Sequence, residues 1–544
     1  MKGMTKEEQE RIDELYQPTR FLDRFHKTDA RKAEIIRSFA NTGSMLTISF
    51  LLPFALEKNK TIQRTARETI HEIILRNRKQ DVIGFDQYMR RLTAYHYEAR
   101  LGAWHHLSPD TVRALAIVDE ADVSFLGICS FHRNGYVREA AAEVLSKQFS
   151  GGELPFLFLR LNDWLPKIRF TAYKALKQRI RPECAQYFLN AIYFCKHLSE
   201  YYNREKFTDL VDEIYQLLRD PANQRVLLRG FRSEDLVVRR FSFSFAIDLP
   251  DIDLNTVVVE AYRQSDALIR LQILKHLYKT SSNECLILWL KQFRYDVFPP
   301  IRQLTLQAYI DRNLEESSEE LHAALLDSNK TIREMARYYL KDKQVDFPLF
   351  YREKLNGQDE RVLQAAIAGL AETGDKADVQ WITPFLHHDN ARICKTAVKA
   401  LGMLNPEKYR DVFIRFLQAD KPSVSREARQ ILAHIVDLRH ADLLWAIFQK
   451  EARLHVKKNI LFLFTKLGRA DSILYLLQAC SAQEEQISEF AKRYVESWTT
   501  GYNTKFYVQL NGEKRQRLNE ILETAKDFLP ENTVRELEFL AGTN

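Results

Sequence analysis

One phrase recurs down the chain and constrains its fold more than any other feature. In "YVREAAAEVL", beginning at Tyr136, a β-branched residue is followed by Arg, then by a small residue four positions on and an apolar one eight positions on. The β-branched position recurs at Val137, Ile168, Val238, Ile269, Ile301, Ile332, Val362, Ile393, Val424, Val456 and Ile487, in steps of 30 to 32 residues apart from one step of 70. The fourth position on reads Ala141, Ala172, Ser242, Ile273, Thr305, Ala336, Ala366, Ala397, Ala428, Ile460 and Ala491. The eighth reads Leu145, Leu176, Ala246, Leu277, Tyr309, Leu340, Leu370, Leu401, Leu432, Phe464 and Val495. The long step predicts one diverged unit near residues 185–222, and an earlier copy lies at Ile62 and Ala66.

Positions 0, +4 and +8 fall on one stripe of a helix, and the recurrent alanine lets a neighbouring helix approach closely. Each period also holds an upstream apolar segment, such as Val412 to Leu417 before Val424. One period therefore reads as two helices. Asp marks many of the intervening turns, at Asp163, Asp296, Asp327, Asp359, Asp389 and Asp420, where it is expected to cap the following helix. A single pair of helices cannot bury its own stripe, so the pairs must stack. The expected fold is an all-α solenoid of about 13 stacked helical pairs. Composition agrees: only 17 glycines and 15 prolines in 544 residues leave few forced breaks, and 45% hydrophobic with 28% charged residues excludes wholesale disorder.

With its basic residue, small residue and turn Asp, this pattern resembles HEAT repeats, an armadillo-like helical class. The short period resembles the compact HEAT-like repeats of the phycobilisome-lyase type found in bacterial proteins. The resemblance implies a stacked superhelix with a concave face that binds another macromolecule. Tetratricopeptide and ankyrin repeats have similar periods, but their W-LG-Y and TPLH phrases do not recur.

Residues 1–32 read as a charged N-terminal helical arm, 33–501 as the repeat array and 502–544 as a C-terminal helical cap whose second helix starts near Asn532 or Thr533. "SGGELP" from Ser150 reads as a turn between repeats. The apolar run Met45 to Leu56 is too short to cross a bilayer and reads as a buried helix. No signal peptide is read at the N-terminus, and six scattered cysteines form no CxxC pair, so buried thiols in a cytoplasmic protein are expected.

The net charge of +7 is mild, with +5 over residues 1–100 and +2 over 101–200. Arg138, Arg169, Arg239, Arg270, Arg302, Arg333 and Lys457 all follow the β-branched position. They read either as a phosphate-facing ladder or as braces that pair with the turn Asp. The ladder lapses at Leu363, Cys394 and Ser425, which favours the braces. His105–His106 and His387–His388 are adjacent pairs, a poor geometry for sharing a metal, and read as loop caps. One His-Glu dipeptide, His71-Glu72, cannot build the di-iron cage of HEAT-like deoxyhypusine hydroxylases. Phosphate-binding loops, HExxH and GxSxG are absent, and nothing marks a bilin pocket. The alternating Phe241, Phe243 and Phe245 read as filling a divergent joint between repeats.

The expected function is a non-catalytic scaffold that binds a protein partner, with no cofactor and no metal. The expected contacts are Arg240, Lys275, Arg337, Lys399, Arg426 and Arg429 on the second helices. The alternative is nucleic-acid binding through the more basic N-terminal half, around Arg138, Arg169 and Lys174. It would resemble the HEAT-like alkylpurine DNA glycosylases, with Trp104, Trp164 and Tyr173 as stacking residues and Asp163 as the carboxylate.

Overall fold

A computed structural model describes residues 3–16, 26–91, 98–201, 207–250, 252–500 and 510–542. Every regular element among the described residues is helical. The chain divides into two compact units, Met1–Ser281 and Ser282–Asn544, a division inside the 33–501 stretch. The 501–502 boundary lies outside the described residues.

In the first unit the repeating pairs are Glu120–Cys129 with Gly135–Leu145, Leu154–Arg160 with Pro166–Lys177, Gln224–Gly230 with Leu236–Ala246, and Leu254–Tyr262 with Ala267–Thr280. The interval before Gln224 holds the helices Ala185–Asn190, Ile192–Tyr201 and Thr208–Arg219, where the sequence predicts a diverged unit. The run Met45 to Leu56 forms the buried helix Thr47–Ala55, which carries Pro53 inside it.

In the second unit the pairs run from Asn283–Phe293 with Pro299–Asp311 to Arg469–Gln478 with Glu485–Thr500. The helices Gly512–Ala525 and Glu531–Ala541 then pack on this last pair and cover its free face. The final helix begins after Pro530, so Asn532 and Thr533 lie in its first turn rather than at its cap. The proline's fixed dihedral suits helix entry without a side-chain cap.

The repeat stripe is the core. All eleven residues at position +4 and all eleven at +8 are buried to 1% exposure or less. At position 0 only Val362 departs, and Leu363 beside it is buried in its place. The second helices start where local chemistry dictates. Asn134, Asp235, Asp266, Asn329, Asp359 and Asn390 accept from backbone N–H groups of the first turn, and Pro166, Pro299 and Pro422 occupy first positions.

Of the turn aspartates, Asp359 caps its helix as expected. Asp163, Asp296 and Asp327 sit two residues before the cap position and fold the turn, each accepting from the cap residue's N–H: Leu165 at 3.1 Å, Phe298 at 2.8 Å and Asn329 at 2.7 Å. The joint after the irregular interval is aromatic. Phe243 stacks on Phe231 with centroids 3.9 Å apart, and Phe241 and Phe245 pack around Tyr215.

Candidate partner-binding groove

The basic residue after the β-branched position serves the fold. Its guanidinium reaches back to the carbonyl six residues earlier, at the end of the preceding turn. Arg138 donates to His132 O (3.0 Å), Arg169 to Asp163 O (3.0 Å), Arg239 to Ser233 O (2.5 Å), Arg270 to Gln264 O (2.6 Å), Arg302 to Asp296 O (2.7 Å) and Arg333 to Asp327 O (2.7 Å). These carbonyls close the inter-helix turn, where unmet acceptors destabilise the fold. Two of these arginines also bind the next repeat's turn carboxylate through two nitrogens: Arg138 to Asp163 (2.8 and 3.0 Å) and Arg302 to Asp327 (2.8 and 2.7 Å).

At three of the positions where the basic residue lapses, a short donor takes over and bonds the carbonyl eight residues back; at the fourth, Leu363 is buried and has no side-chain donor. Cys394 Sγ donates to Leu386 O (2.9 Å), Ser425 Oγ to Leu417 O (2.5 Å) and Ser488 Oγ to Cys480 O (2.6 Å). The ladder is a set of braces, and no continuous phosphate track exists along it.

Of the N-terminal candidates for nucleic-acid chemistry, Asp163 and Trp104 are buried within the fold, while Trp164 and Lys174 are exposed. Asp163 is fully buried. Beyond Arg138 it faces Arg160 Nη1 at 3.5 Å and Arg90 Nη2 at 3.6 Å. Burial raises its pKa, but the bonds from Arg138 and the charges of Arg160, Arg138 and Arg90 outweigh this and lower it to about 2. A carboxylate neutralised this way has no free lone pair for a lesion base. Trp104 is 3% exposed against the His132 ring. Trp164 is exposed, and Tyr173 donates its hydroxyl to Asp209 (2.7 Å).

The His pairs act locally. His388 Nδ1 accepts from Asn390 N–H at 3.0 Å, and His387 stacks on Phe416. No group of three metal-ligating side chains is found among the described residues. Cys129, Cys184, Cys195, Cys394 and Cys480 are buried, and burial pushes Cys129, Cys195 and Cys480 up to about 12. None is a poised nucleophile.

A groove of about 1180 Å³ lies in the second unit, lined by residues between Arg294 and Glu427. Its floor includes the small residues Ala365, Ala368, Ala371 and Ala400, with Met403 at one edge. Four of its carboxylates are already paired. Glu320 is held by Arg294, Asp327 by Arg302, Glu372 by Arg333 and Arg337, and Glu427 by Lys395 at 3.6 Å. Arg361, Arg392 and Lys399 line the same groove, are exposed and make no ion pair among the described residues. The groove thus combines close-approach floor positions with uncompensated positive charge.

Of the six predicted contact residues, Arg240 and Lys275 lie in the first unit and Arg337, Lys399, Arg426 and Arg429 in the second. Arg240 is held by Asp266 through two nitrogens (2.6 and 3.2 Å). Lys275 is exposed on another helix of the first unit. Arg337 is spent on Glu372 (3.0 Å) and Tyr351 OH (3.2 Å). Lys399 lines the groove. Arg426 is exposed, and Arg429 lies 4.4 Å over the Phe462 ring with its Nε shielded and unbonded. Sequence reasoning missed Arg361 and Arg392, although aligning the repeats places both directly before the β-branched position. No described helix is long and apolar enough to cross a membrane.

Residues 350–433, which include part of the groove, match the family model of HEAT repeats. No curated protein matches the chain. Among solved structures, the chain is similar to Kap121p bound to Nup53p (TM-score 0.35, 11% identity, covering 95% of this chain and 65% of that one). It is similar also to Kap95p with RanGDP (0.32, 11%, 95% and 66%) and to importin beta in ammonium sulfate (0.33, 12%, 95% and 69%). The chain therefore spans about two thirds of the length of these structures.

Proposed function

We propose that this chain is a non-catalytic HEAT-repeat scaffold, acting in the cytoplasm, that holds a protein partner in the groove of its second unit. The compact repeat subtype, of the phycobilisome-lyase type, is part of the same reading and is supported by the 30–32-residue period. One observation carries the function: a pre-formed groove with an alanine floor, four of whose carboxylates are held in ion pairs, while Arg361, Arg392 and Lys399 make no ion pair among the described residues. The ordering cost of such a surface is met during folding, which leaves more of the contact energy for binding. The buried Asp163 and buried thiols offer no competing reactive centre.

The test is affinity purification from the native cell with nuclease present, using the wild type and a variant carrying Gln364→Trp and Met403→Trp. These substitutions fill the groove without changing its charge. A stoichiometric protein held by the wild type and lost from the variant is the expected result. Equal recovery by both, or loss of all bound material under nuclease, overturns the reading.

A further inference from the structure

The groove face does not end at Glu427. In the helices Glu360–Thr373 and Ala391–Leu404 the lining residues fall at positions −1, +2, +3 and +6 relative to Val362 and Ile393: Arg361, Gln364, Ala365 and Ala368, then Arg392, Lys395, Thr396 and Lys399. In the next three repeats, position +2 brings Arg426 and Lys458 onto the same face, +3 brings Phe490, and +6 brings Phe462 and Arg493. Ring contacts between neighbouring second helices support that register. Arg429 lies 4.4 Å over Phe462, and Lys458 lies 4.5 Å over Phe490. Lys466 approaches Phe462 at 5.0 Å, and Arg493 approaches Phe490 at 5.9 Å. Neither Arg426, Arg429, Lys458, Lys466 nor Arg493 has a carboxylate within ion-pair distance among the described residues; Lys458 donates only to the neutral Gln486. Glu489, the acidic residue at position +2, is bound to Lys492 at 3.0 Å.

The rings hold Arg429, Lys458, Lys466 and Arg493 in place without neutralising them. Phe462 and Phe490 are each contacted by two cations, so their rings are not clear platforms for stacking bases, which single-stranded nucleic acid uses. The adjoining alanine floor accepts apolar side chains, which a phosphate backbone lacks. We propose that the second helices from Glu360 to Thr500 form one continuous track for an extended acidic polypeptide segment, its carboxylates meeting Arg426, Lys458 and Arg493 and its interspersed apolar side chains entering over Ala365, Ala368 and Ala400. Five second helices at 8–10 Å spacing correspond to a segment of about 12 residues at 3.3 Å each. This assignment rests on the protein-scaffold reading and gives its partner a chemistry.

The experiment measures fluorescence anisotropy of the purified full chain with three probes: a labelled peptide of about 14 alternating Glu and Leu residues, its Lys/Leu counterpart, and a single-stranded oligonucleotide of about 20 nucleotides. The variant carries Arg426→Glu, Lys458→Glu and Arg493→Glu. A control carries Lys58→Glu, Lys147→Glu and Lys279→Glu, which change the net charge equally at exposed positions of the first unit. The acidic peptide is expected to bind in preference to the other two probes. Its Kd should rise about tenfold or more in the triple variant and stay within about twofold in the control. Equal peptide affinity for the variant and the wild type, or tighter binding of the oligonucleotide than of the acidic peptide, overturns the proposal. Circular dichroism melting of the variant checks that the three substitutions, two exposed and one half-buried, leave the fold intact. If the native partner is still displaced by the neutral groove-filling substitutions while the acidic peptide fails to bind, the acidic track is wrong and the scaffold stands.

Discussion

At the residue scale Asp163 carries the most coupled chemistry in the chain. It is fully buried, folds its own turn through Leu165 N–H, and faces Arg90, Arg138 and Arg160 from three helices. Its pKa of about 2 lies below the carboxylate's ordinary 3.8, so the folded state binds fewer protons than the unfolded chain. The resulting stabilisation, about 2 kcal/mol, is fully present above about pH 4 and is lost as pH falls towards 2. Asp163→Asn removes the charge, takes from buried Arg138 its carboxylate, and leaves Arg90 and Arg160 sharing Asp86 alone among the described carboxylates. The expected loss at neutral pH is about 3 kcal/mol, and the gap in melting temperature between wild type and variant should narrow as pH falls from about 5 to about 2. Thermal melts across that range check both statements. A gap independent of pH would mean that the charge on Asp163 contributes nothing.

At the scale of the helical pair, the fold rests on small donors as much as on apolar stripes. Ser425 Oγ donates to Leu417 O and accepts from Asn459 Nδ2 at 2.8 Å, both in buried surroundings. Ser425→Ala leaves that carbonyl and that amide unmet and should cost about 2 kcal/mol in urea unfolding. Gly369 tests close approach. A Cβ there would stand 2.2 Å from Tyr351 Cε1. The buried ring is fixed by its hydroxyl, which donates to Leu325 O and accepts from Arg337. Alanine would gain about 1 kcal/mol in helix propensity, yet Gly369→Ala should lower stability by about 1–2 kcal/mol net, because overpacking against a held ring costs more.

Much of this architecture was legible because repetition multiplies a weak signal. One "VRxxA" is uninformative, whereas eleven copies in phase define which residues point inward, and the +4 and +8 positions are all buried. The pairing partners were less visible. Arg138 meets Asp163 and Arg302 meets Asp327 across 25 residues, and Arg240 meets Asp266 across 26. That offset depends on how one pair stacks on the next, which a single repeat does not encode. The carboxylate partners of Arg240 and Arg337 were hidden for this reason. Both occupy solvent-facing types of position, and both are taken by a carboxylate of the following repeat.

At the scale of the whole molecule, averaged charge misleads where local pairing decides. The sequence places its positive excess in the first 200 residues, yet Arg138 and Arg160 there are consumed by Asp163, while the cations without carboxylate partners on the groove face lie between Arg361 and Arg493. Stability follows the same local logic. Stacked repeats contact their neighbours and little else, so a perturbation should decay along the stack rather than unfold everything at once. Asp163 ties the helix Lys79–Arg91 through Arg90, Gly135–Leu145 through Arg138, and Leu154–Arg160 through Arg160. Asp163→Asn should therefore speed amide hydrogen exchange in those three helices and in Pro166–Lys177, whose entry turn it folds. The helices from Ala441 to Thr500, in the other compact unit, should keep wild-type protection. Exchange read by mass spectrometry at peptide resolution checks this. Uniform acceleration in both units would show instead that the chain unfolds as one cooperative body, and the nearest-neighbour account of its stability would fail.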